Sequence, residues 1–184
     1  TGVTAWSALF ERRGLLPGET VLLLGTGGVS IFALQLAKKA GARVIITSSS
    51  DEKLQRAQQL GADFVINYTK APNWEDEVLR LTNGVGADLA VDVAGPSTLN
   101  HTLKAVRHGG RISLMGVLTG FNGAIDTFAI LDKRITLQGI YVGSVSVLKA
   151  LCALGLDAQV DQIFPLNRVQ EAFDALKQAK HFGK

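Results

Sequence analysis

The sequence predicts an α/β fold with a doubly wound, mostly parallel, six-stranded sheet and helices on both of its faces. Short continuous apolar runs, typical of strands buried on both faces, alternate with stretches in which apolar residues recur every three or four positions. The chain has 184 residues, of which 47% are hydrophobic, so it can bury the core of one domain and is not disordered. Its formal charge of +3 is scattered along the sequence, which argues against nucleic-acid binding.

Three strand–helix units are predicted in the first half, after an additional helical segment at residues 4–10. The apolar runs place strands at residues 21–24, 44–46 and 64–66, and the helical spacing places helices at residues 30–40, 49–60 and 74–81. Gly41 and Gly61 stand where C-terminal helix caps belong. Ser49 has the capping-box spacing to Glu52, and Asn73 is the expected N-cap of the third helix.

The second half continues the same alternation. Strands are predicted at residues 89–91, 112–115 and 135–140, and two last helices near residues 145–154 and 169–177. Between the fourth and fifth strands, the spacing of Leu99, Leu103 and Val106 predicts a helix that ends at Gly109-Gly110. Strands and helices alternating in this way form a doubly wound parallel sheet, and six strands suit the dinucleotide-binding order.

Few side chains elsewhere suggest chemistry of their own. His101 and His108 are seven residues apart, on one helix face at best, and a surface role is the default for both. Asp92 ends the fourth strand and is expected to shape the next loop. Cys152, the single cysteine, lies among apolar residues and is predicted to be a buried, inert thiol. The sequence therefore predicts no catalytic residue and no metal ligand in this chain.

The turn between the first strand and the first main helix has the pattern G-x-G-x-x-S, at residues 25–30. It follows an apolar strand, opens an apolar helix and lies in a strand–helix–strand unit, which is the context of a dinucleotide fingerprint. Gly25 allows the tight turn, and Gly27 lets a pyrophosphate approach the backbone at the helix N-terminus. Ser30 is small enough for helix–strand packing, or its hydroxyl caps the helix. The alternative is that the glycines only make a tight turn.

The end of the second strand bears on the choice of cofactor. An NAD site usually has a carboxylate there for the ribose 2′-hydroxyl, whereas this chain has hydroxyls at residues 47–50. Lys53, one turn into the next helix, can supply a cation for a 2′-phosphate. The pattern favours NADP over NAD, with NAD still possible. Two observations weigh against it: Asp51 lies close by, and Ser49 and Lys53 are also explained as a helix cap and a solvated surface residue.

These motifs, in this order, resemble the cofactor-binding (Rossmann) domain of the medium-chain dehydrogenase/reductase superfamily, which includes zinc-type alcohol dehydrogenases and quinone oxidoreductases. The resemblance is carried by residues 23–30, 35–42, 60–63, 86–95, 135–144 and 179–184. It covers essentially the whole chain. It implies transfer of a hydride between a nicotinamide and an alcohol, carbonyl or activated alkene.

The resemblance also implies a role for each matching position. The pyrophosphate is assigned to Gly27, Gly28 and Val29. The adenosine ribose and its 2′ substituent are assigned to Ser48, Ser49, Lys53 and Tyr68. The cofactor groove at the end of the fourth strand is assigned to Val93, Ala94 and Gly95. The nicotinamide is assigned to Thr4, Met115, Gly116, Val117, Ile140, Tyr141 and Val142.

The resemblance further implies an incomplete enzyme. Residues 1–184 match a single dinucleotide-binding domain, and nothing matches the N-terminal catalytic domain that provides the substrate pocket and any zinc ligands. We therefore expect this fragment to bind the cofactor without turnover. Its expected partners are a nicotinamide dinucleotide, a small-molecule substrate in the full enzyme, and a second copy paired through the sixth strand. No signal peptide or membrane span is visible in the sequence, so a cytoplasmic location is expected.

Two other functions stay open at this point. A nucleotide-sensing module without catalysis would have the same glycine turn, because fold does not determine function. An adenosylmethionine-dependent methyltransferase shares the turn as well, but it normally has an acidic residue at the end of the second strand, where this chain has Ser48 and Ser49.

Overall fold

The computed structural model describes all 184 residues, from Thr1 to Lys184. Its centre is a six-stranded sheet in the order β3-β2-β1-β4-β5-β6, with every neighbouring pair parallel. The predicted α/β class is confirmed. The strands are β1 (Thr20–Leu23), β2 (Arg43–Ser48), β3 (Phe64–Asn67), β4 (Ala87–Asp92), β5 (Val106–Leu114) and β6 (Thr136–Gly139). The helices are α1 (Gly2–Phe10), α2 (Gly28–Lys39), α3 (Asp51–Gln59), α4 (Trp74–Leu81), α5 (Pro96–Ala105), α6 (Thr127–Asp132), α7 (Val145–Ala153) and α8 (Val169–Lys177).

The strand order reverses between β1 and β4. Leu22 of β1 pairs with Ile45 of β2 on one side and with Ala90 of β4 on the other. All three side chains are fully buried, because helices cover both faces of the sheet. In an open parallel sheet, ligands bind outside the carboxyl ends of the strands where the order reverses. The topology therefore points to the loops after β1 and β4.

The caps of two helices differ from the sequence-based expectation. The N-cap of α3 is Ser50, whose hydroxyl accepts a hydrogen bond from the Lys53 N–H, so the capping box from Ser49 to Glu52 is wrong by one residue. Asn73 is the N-cap residue of α4 by position, but its side chain makes no capping hydrogen bond. Gly41 follows the end of α2 with a φ of 77°, as a residue beyond a C-cap should.

The helix predicted to run from Leu99 as far as Gly109-Gly110 is too long. The structure ends α5 at Ala105 and begins β5 at Val106. The ammonium of Lys133 caps the end of the helix, since it donates hydrogen bonds to the carbonyls of residues 103, 104 and 106 at 2.7–3.0 Å. Because His108 lies in β5, it shares no helix face with His101.

Towards the C-terminus the chain is more exposed. The side chains of α8 are partly or fully exposed along its whole length. Cys152, on α7, is also exposed, so the prediction of a buried thiol is wrong. No helix has both the length and the apolar character that crossing a membrane requires.

Candidate functional site

The glycine turn joins β1 to α2 at the reversal point of the sheet. Gly25 has a φ of 74°, which a side chain would oppose. Gly27 is the N-cap of α2, and a Cβ added to it would meet no atom within 4 Å. No side chain caps this helix, and its first turn contains no acidic residue. The N–H groups of the first turn, which have no acceptor inside the helix, therefore face open space that suits an anion.

Ser30 ties α2 to the strand rather than capping the helix. Its hydroxyl donates a hydrogen bond to the Leu24 carbonyl at 2.8 Å, and the residue is buried. The capping alternative is wrong, because the helix starts two residues earlier, at Gly28. The other expectation, that a small residue is needed here for helix–strand packing, agrees with this buried position.

The two ends of the chain pack against the start of α2. A Cβ on Gly28 would lie 3.1 Å from the Thr1 methyl group and 3.3 Å from the Lys184 Cβ. The Gly183 N–H donates to the Thr26 carbonyl at 3.0 Å, and residues 27 and 183 form a parallel bridge. Residues 179–184 had no role assigned to them from the sequence. Gly183 and Lys184 thus lie directly against the glycine turn.

The residues predicted at the adenosine end come together at the end of β2, but they differ in exposure. Ser48 is buried, and its hydroxyl lies 3.4 Å from the Thr26 hydroxyl, so it connects β2 to the glycine turn. Ser49 is exposed. Tyr68 is 41% exposed, and its N–H donates to the Ser48 carbonyl at 3.1 Å. Ser49 and Tyr68 are thus free to contact a ligand, while Ser48 positions the turn.

The charges at this end are partly balanced within the protein. The Lys53 ammonium donates to the Ala179 carbonyl at 2.9 Å and has no carboxylate partner. Asp51 is paired with the Lys70 ammonium at 2.6 Å and also accepts a hydrogen bond from Asn67. These hydrogen bonds, the one from Lys70 foremost, hold the pKa of Asp51 below its usual value. Lys70, whose role the sequence pattern did not indicate, thus offsets the negative charge that weighed against a 2′-phosphate.

Asp92 shapes the loop after β4, as predicted. The carboxylate is fully buried and accepts hydrogen bonds from the N–H groups of Ala94 at 3.1 Å and Gly95 at 3.0 Å. The hydroxyls of Thr98 and Thr102 donate to it at 2.8–3.0 Å. Four donors explain why an unpaired carboxylate is tolerated in the core. Asp92 therefore fixes the backbone of the predicted cofactor groove and does not reach a ligand itself.

Two glycines allow the loops after β4 and β5 to lie in direct contact. A Cβ on Gly116 would overlap the backbone of Val93, and one on Gly95, whose φ is 95°, would press on the Gly116 carbonyl. No other residue type fits either position without moving the backbone. The close approach brings the predicted groove and nicotinamide residues side by side.

A cleft of about 530 Å³ opens at the carboxyl ends of β4, β5 and β6. Six of the predicted cofactor residues line it: Gly95, Met115, Gly116, Val117, Ile140 and Tyr141. The apolar lining residues that sequence reasoning missed include Pro96, Leu99, Phe121 and Ile125. Leu99, Phe121 and Ile125 carry no pattern that distinguishes them from other apolar residues. Pro96 could have been noticed, because proline is favoured at the first position of a helix and Pro96 begins α5. The cleft has no charged residue in its lining, so it suits an uncharged ring or substrate.

The remaining predicted residues are not part of the lining of this cleft. Val142 has a φ of 59°, an unusual conformation for a β-branched residue, which costs about 1–3 kcal/mol. Val93 and Ala94 are partly buried beside Gly95, and Val29 is partly buried in the first turn of α2. Thr4 lies on α1, a helix that packs against α2 and α7, and is partly exposed.

The chain's own residues do not fit a metal ion. No three or more histidine, cysteine, aspartate or glutamate side chains come together in a group that could hold one. His101 pairs with the buried Glu75, its Nδ1 atom lying 2.8 Å from the carboxylate.

Known proteins resemble this chain in sequence and in fold. A family profile described as zinc-binding dehydrogenase matches residues 28–157. The zinc-type alcohol dehydrogenase-like protein of Schizosaccharomyces pombe is 40% identical over 192 residues, covering 99% of this chain and 56% of that protein.

Two solved structures share the fold. An NAD-dependent alcohol dehydrogenase matches with a TM-score of 0.91 at 37% identity, covering 99% of this chain and 54% of that one. A mycobacterial protein complexed with NADPH matches with a TM-score of 0.86 at 26% identity, covering 99% of this chain and 60% of that one. The chain thus spans about half the length of the proteins that it matches.

Proposed function

This chain belongs to the zinc-binding dehydrogenases of the medium-chain dehydrogenase/reductase superfamily, and we propose that it is the NADP(H)-binding domain of an oxidoreductase. The complete enzyme would transfer a hydride between the nicotinamide and an alcohol, carbonyl or activated alkene. The observation that carries this proposal is the open space at Gly27, where a Cβ would meet nothing within 4 Å in front of an uncapped helix N-terminus.

Different residues of the chain would bind the pyrophosphate and the nicotinamide of the cofactor. A bound nicotinamide supplies the hydride chemistry. The first turn of α2 would hold the pyrophosphate through backbone N–H groups and the helix dipole. Met115, Val117 and Ile140 would exclude water from the nicotinamide, since the cleft they line contains no charge. The backbone of Gly95 and Gly116, packed together, would fix the wall of the cleft.

The preference for NADP over NAD is the finer part of this proposal. It is supported by the hydroxyls at the end of β2, where NAD sites usually carry a carboxylate. Lys53 has no carboxylate partner, and Asp51 is already paired with Lys70. Ser49, Lys53 and Tyr68 are the residues that we assign to the 2′-phosphate.

We also propose a homodimer formed through β6. This strand lies at the edge of the sheet, so one side of its backbone has no partner strand. On α6, which precedes it in the sequence, Phe128 and Leu131 are 71% and 72% exposed. A dimer in light scattering at micromolar concentration is the expected result, and a monomer at the highest soluble concentration would contradict it. A cytoplasmic location and the lack of turnover by this chain alone stay predictions.

The test of the proposed function is a calorimetric titration of the protein with NADPH and then NADH at one fixed ionic strength. We expect NADPH to bind at least tenfold more tightly, because one charged hydrogen bond to the 2′-phosphate contributes about 1.5–3 kcal/mol. Lys53→Gln should weaken NADPH binding and leave NADH binding unchanged. Lys149→Gln is the matched control, since Lys149 is exposed on α7 and outside the site.

The outcomes separate the parts of the proposal. A preference for NADH would keep the oxidoreductase assignment and overturn the roles of Ser49, Lys53 and Tyr68. Binding of neither cofactor would overturn the nicotinamide assignment. Adenosylmethionine would then be titrated in the same way.

A further inference from the structure

A second pocket lies under the C-terminal end of α1, at the β5–β6 side of the sheet. Its volume is about 340 Å³. We call it the arginine pocket, because three of its lining residues are Arg12, Arg13 and Arg111. It shares no residue with the cleft at the carboxyl ends of the strands. Nothing in the proposed cofactor binding uses it.

The position of the arginine pocket is fixed by β5. Arg111 pairs with Leu89 of β4 and Thr136 of β6, so it stands in the middle of the sheet's second half. Two residues further along the same face, the Ser113 hydroxyl donates to the Ala8 carbonyl at 2.7 Å and anchors α1. The pocket therefore has a rigid floor of strand residues and a helical wall.

Arg111 is mostly buried, and its hydrogen bonds are incomplete. Its two terminal nitrogens donate to the Glu19 carboxylate at 2.9 Å and to the Arg13 carbonyl at 2.6 Å. Its Nε–H group is buried and has no acceptor. Burial also lowers the pKa of this guanidinium, although the nearby Glu19 opposes the shift. A buried charged donor without an acceptor is costly, and an oxyanion would satisfy it.

A second lining residue has the same deficit. Ser7 is 2% exposed, and its hydroxyl has no hydrogen-bond partner. Two unpartnered polar groups in one pocket are unusual, since most buried polar atoms are hydrogen-bonded. An acceptor would satisfy both, since the Arg111 Nε–H can only donate and the Ser7 hydroxyl can donate as well as accept.

The charge of the pocket favours an anion. The arginines contribute three positive charges, and the lining also includes the carboxylate of Glu11. Glu19, next to the pocket, is occupied by Arg13 at 2.8 Å and Arg111 at 2.9 Å. Arg12 is exposed and forms no ion pair. One positive charge therefore remains after both carboxylates are counted.

We propose that the arginine pocket binds a small oxyanion, a carboxylate or a phosphate, through guanidinium N–H groups and the Ser7 hydroxyl. Guanidinium groups present planar pairs of donors that match both oxyanions. The anion supplies the acceptor that the protein lacks at Arg111 and Ser7.

The test is thermal unfolding of the protein with increasing inorganic phosphate, and separately with succinate, at a constant ionic strength set with sodium chloride. A ligand that binds the folded state alone raises the Tm in a saturable way. Arg12→Gln should raise the half-maximal phosphate or succinate concentration about tenfold. Arg134→Gln is the matched control, since Arg134 is exposed, forms no ion pair and lies outside the pocket. Phosphate binding at the glycine turn is common to all variants and cancels in the comparison.

Ser7→Ala provides a second test, in which the Tm without anion and the gain in Tm with anion should change in opposite directions. Without added anion this variant should have a higher Tm than the wild type, because it removes a buried hydroxyl that has no partner. With the anion it should gain less Tm than the wild type. A shift with phosphate alone or with succinate alone supports the proposal and identifies the anion. No saturable shift with either anion, or the same shift in the wild type and in Arg12→Gln, would overturn it.

Discussion

Gly27→Ala is the substitution that most directly tests the proposed pyrophosphate site. The added methyl group would meet no protein atom within 4 Å, so the folded structure can accept it. Replacing glycine by alanine lowers the entropy of the unfolded chain, which stabilises by about 0.4–1 kcal/mol. Alanine is a poorer N-cap than glycine, which costs a similar amount. We therefore expect a change in the free energy of unfolding of less than about 0.5 kcal/mol, or about 1–2 °C in Tm for this chain length.

The expected effect on the cofactor is much larger. A methyl group in the open space at Gly27 would push the pyrophosphate away from the N–H groups of α2. Loss of two hydrogen bonds to a charged group, at about 1.5 kcal/mol each, corresponds to a loss of more than 100-fold in affinity. Calorimetric titration with NADPH measures the affinity, and thermal unfolding of the same samples measures the stability.

Gly14→Ala is the control for this substitution. A Cβ at Gly14 would also meet no atom within 4 Å, and the residue lies in the loop after α1, outside the glycine turn. This variant should bind NADPH as the wild type does. Unchanged affinity of Gly27→Ala would refute the assignment of the pyrophosphate to this turn. A fall in its Tm of more than about 5 °C would refute the reasoning from open space.

Three further predictions concern stability. Gly116→Ala should lower the Tm by about 2–12 °C, because overpacking against a backbone costs about 1–3 kcal/mol. Gly139→Ala, in the same cleft but with no atom within 4 Å of its Cβ, should change the Tm little. Ser50→Ala should destabilise by about 1 kcal/mol in urea unfolding through loss of the α3 cap, and Ser49→Ala should not. At Asp63, burial raises the pKa, but hydrogen bonds, mainly from the Lys38 ammonium, outweigh it and hold the pKa below its usual value. This carboxylate therefore stabilises the fold above about pH 4, and its contribution is lost as the pH falls. In acid unfolding below that pH, Asp63→Asn should lose less stability than the wild type.

The order of the strands and helices was predictable because buried parallel strands and amphipathic helices have different periods. The end of α5 was not. Val106 continues the apolar spacing of Leu99 and Leu103, but its backbone is extended, and the ammonium of Lys133, far along the chain, binds the last carbonyls of the helix. A local pattern contains no information about such a long-range cap.

The candidate site was predictable to the extent that backbone geometry decides it. The glycine turn and the adjacent loops followed from the motif and from the resemblance to a family. Side-chain partners did not follow. That Ser48 is held by Thr26 inside the protein, and that Asp51 is paired with Lys70, depends on how β2 and β3 lie together. Exposure of Cys152 likewise depends on how few neighbours α7 has, which its own sequence does not reveal.

Thr1 and Lys184 both lie next to Gly28, so residues 1 and 184 are close to each other in space. Because residues 1 and 184 lie close together, a connection between them needs only a few residues. The same closeness allows circular permutation: a short linker from residue 184 to residue 1, with new ends in an exposed loop, should keep the fold. The junction also touches the first turn of α2. A linker placed there would therefore also lie beside the proposed pyrophosphate site.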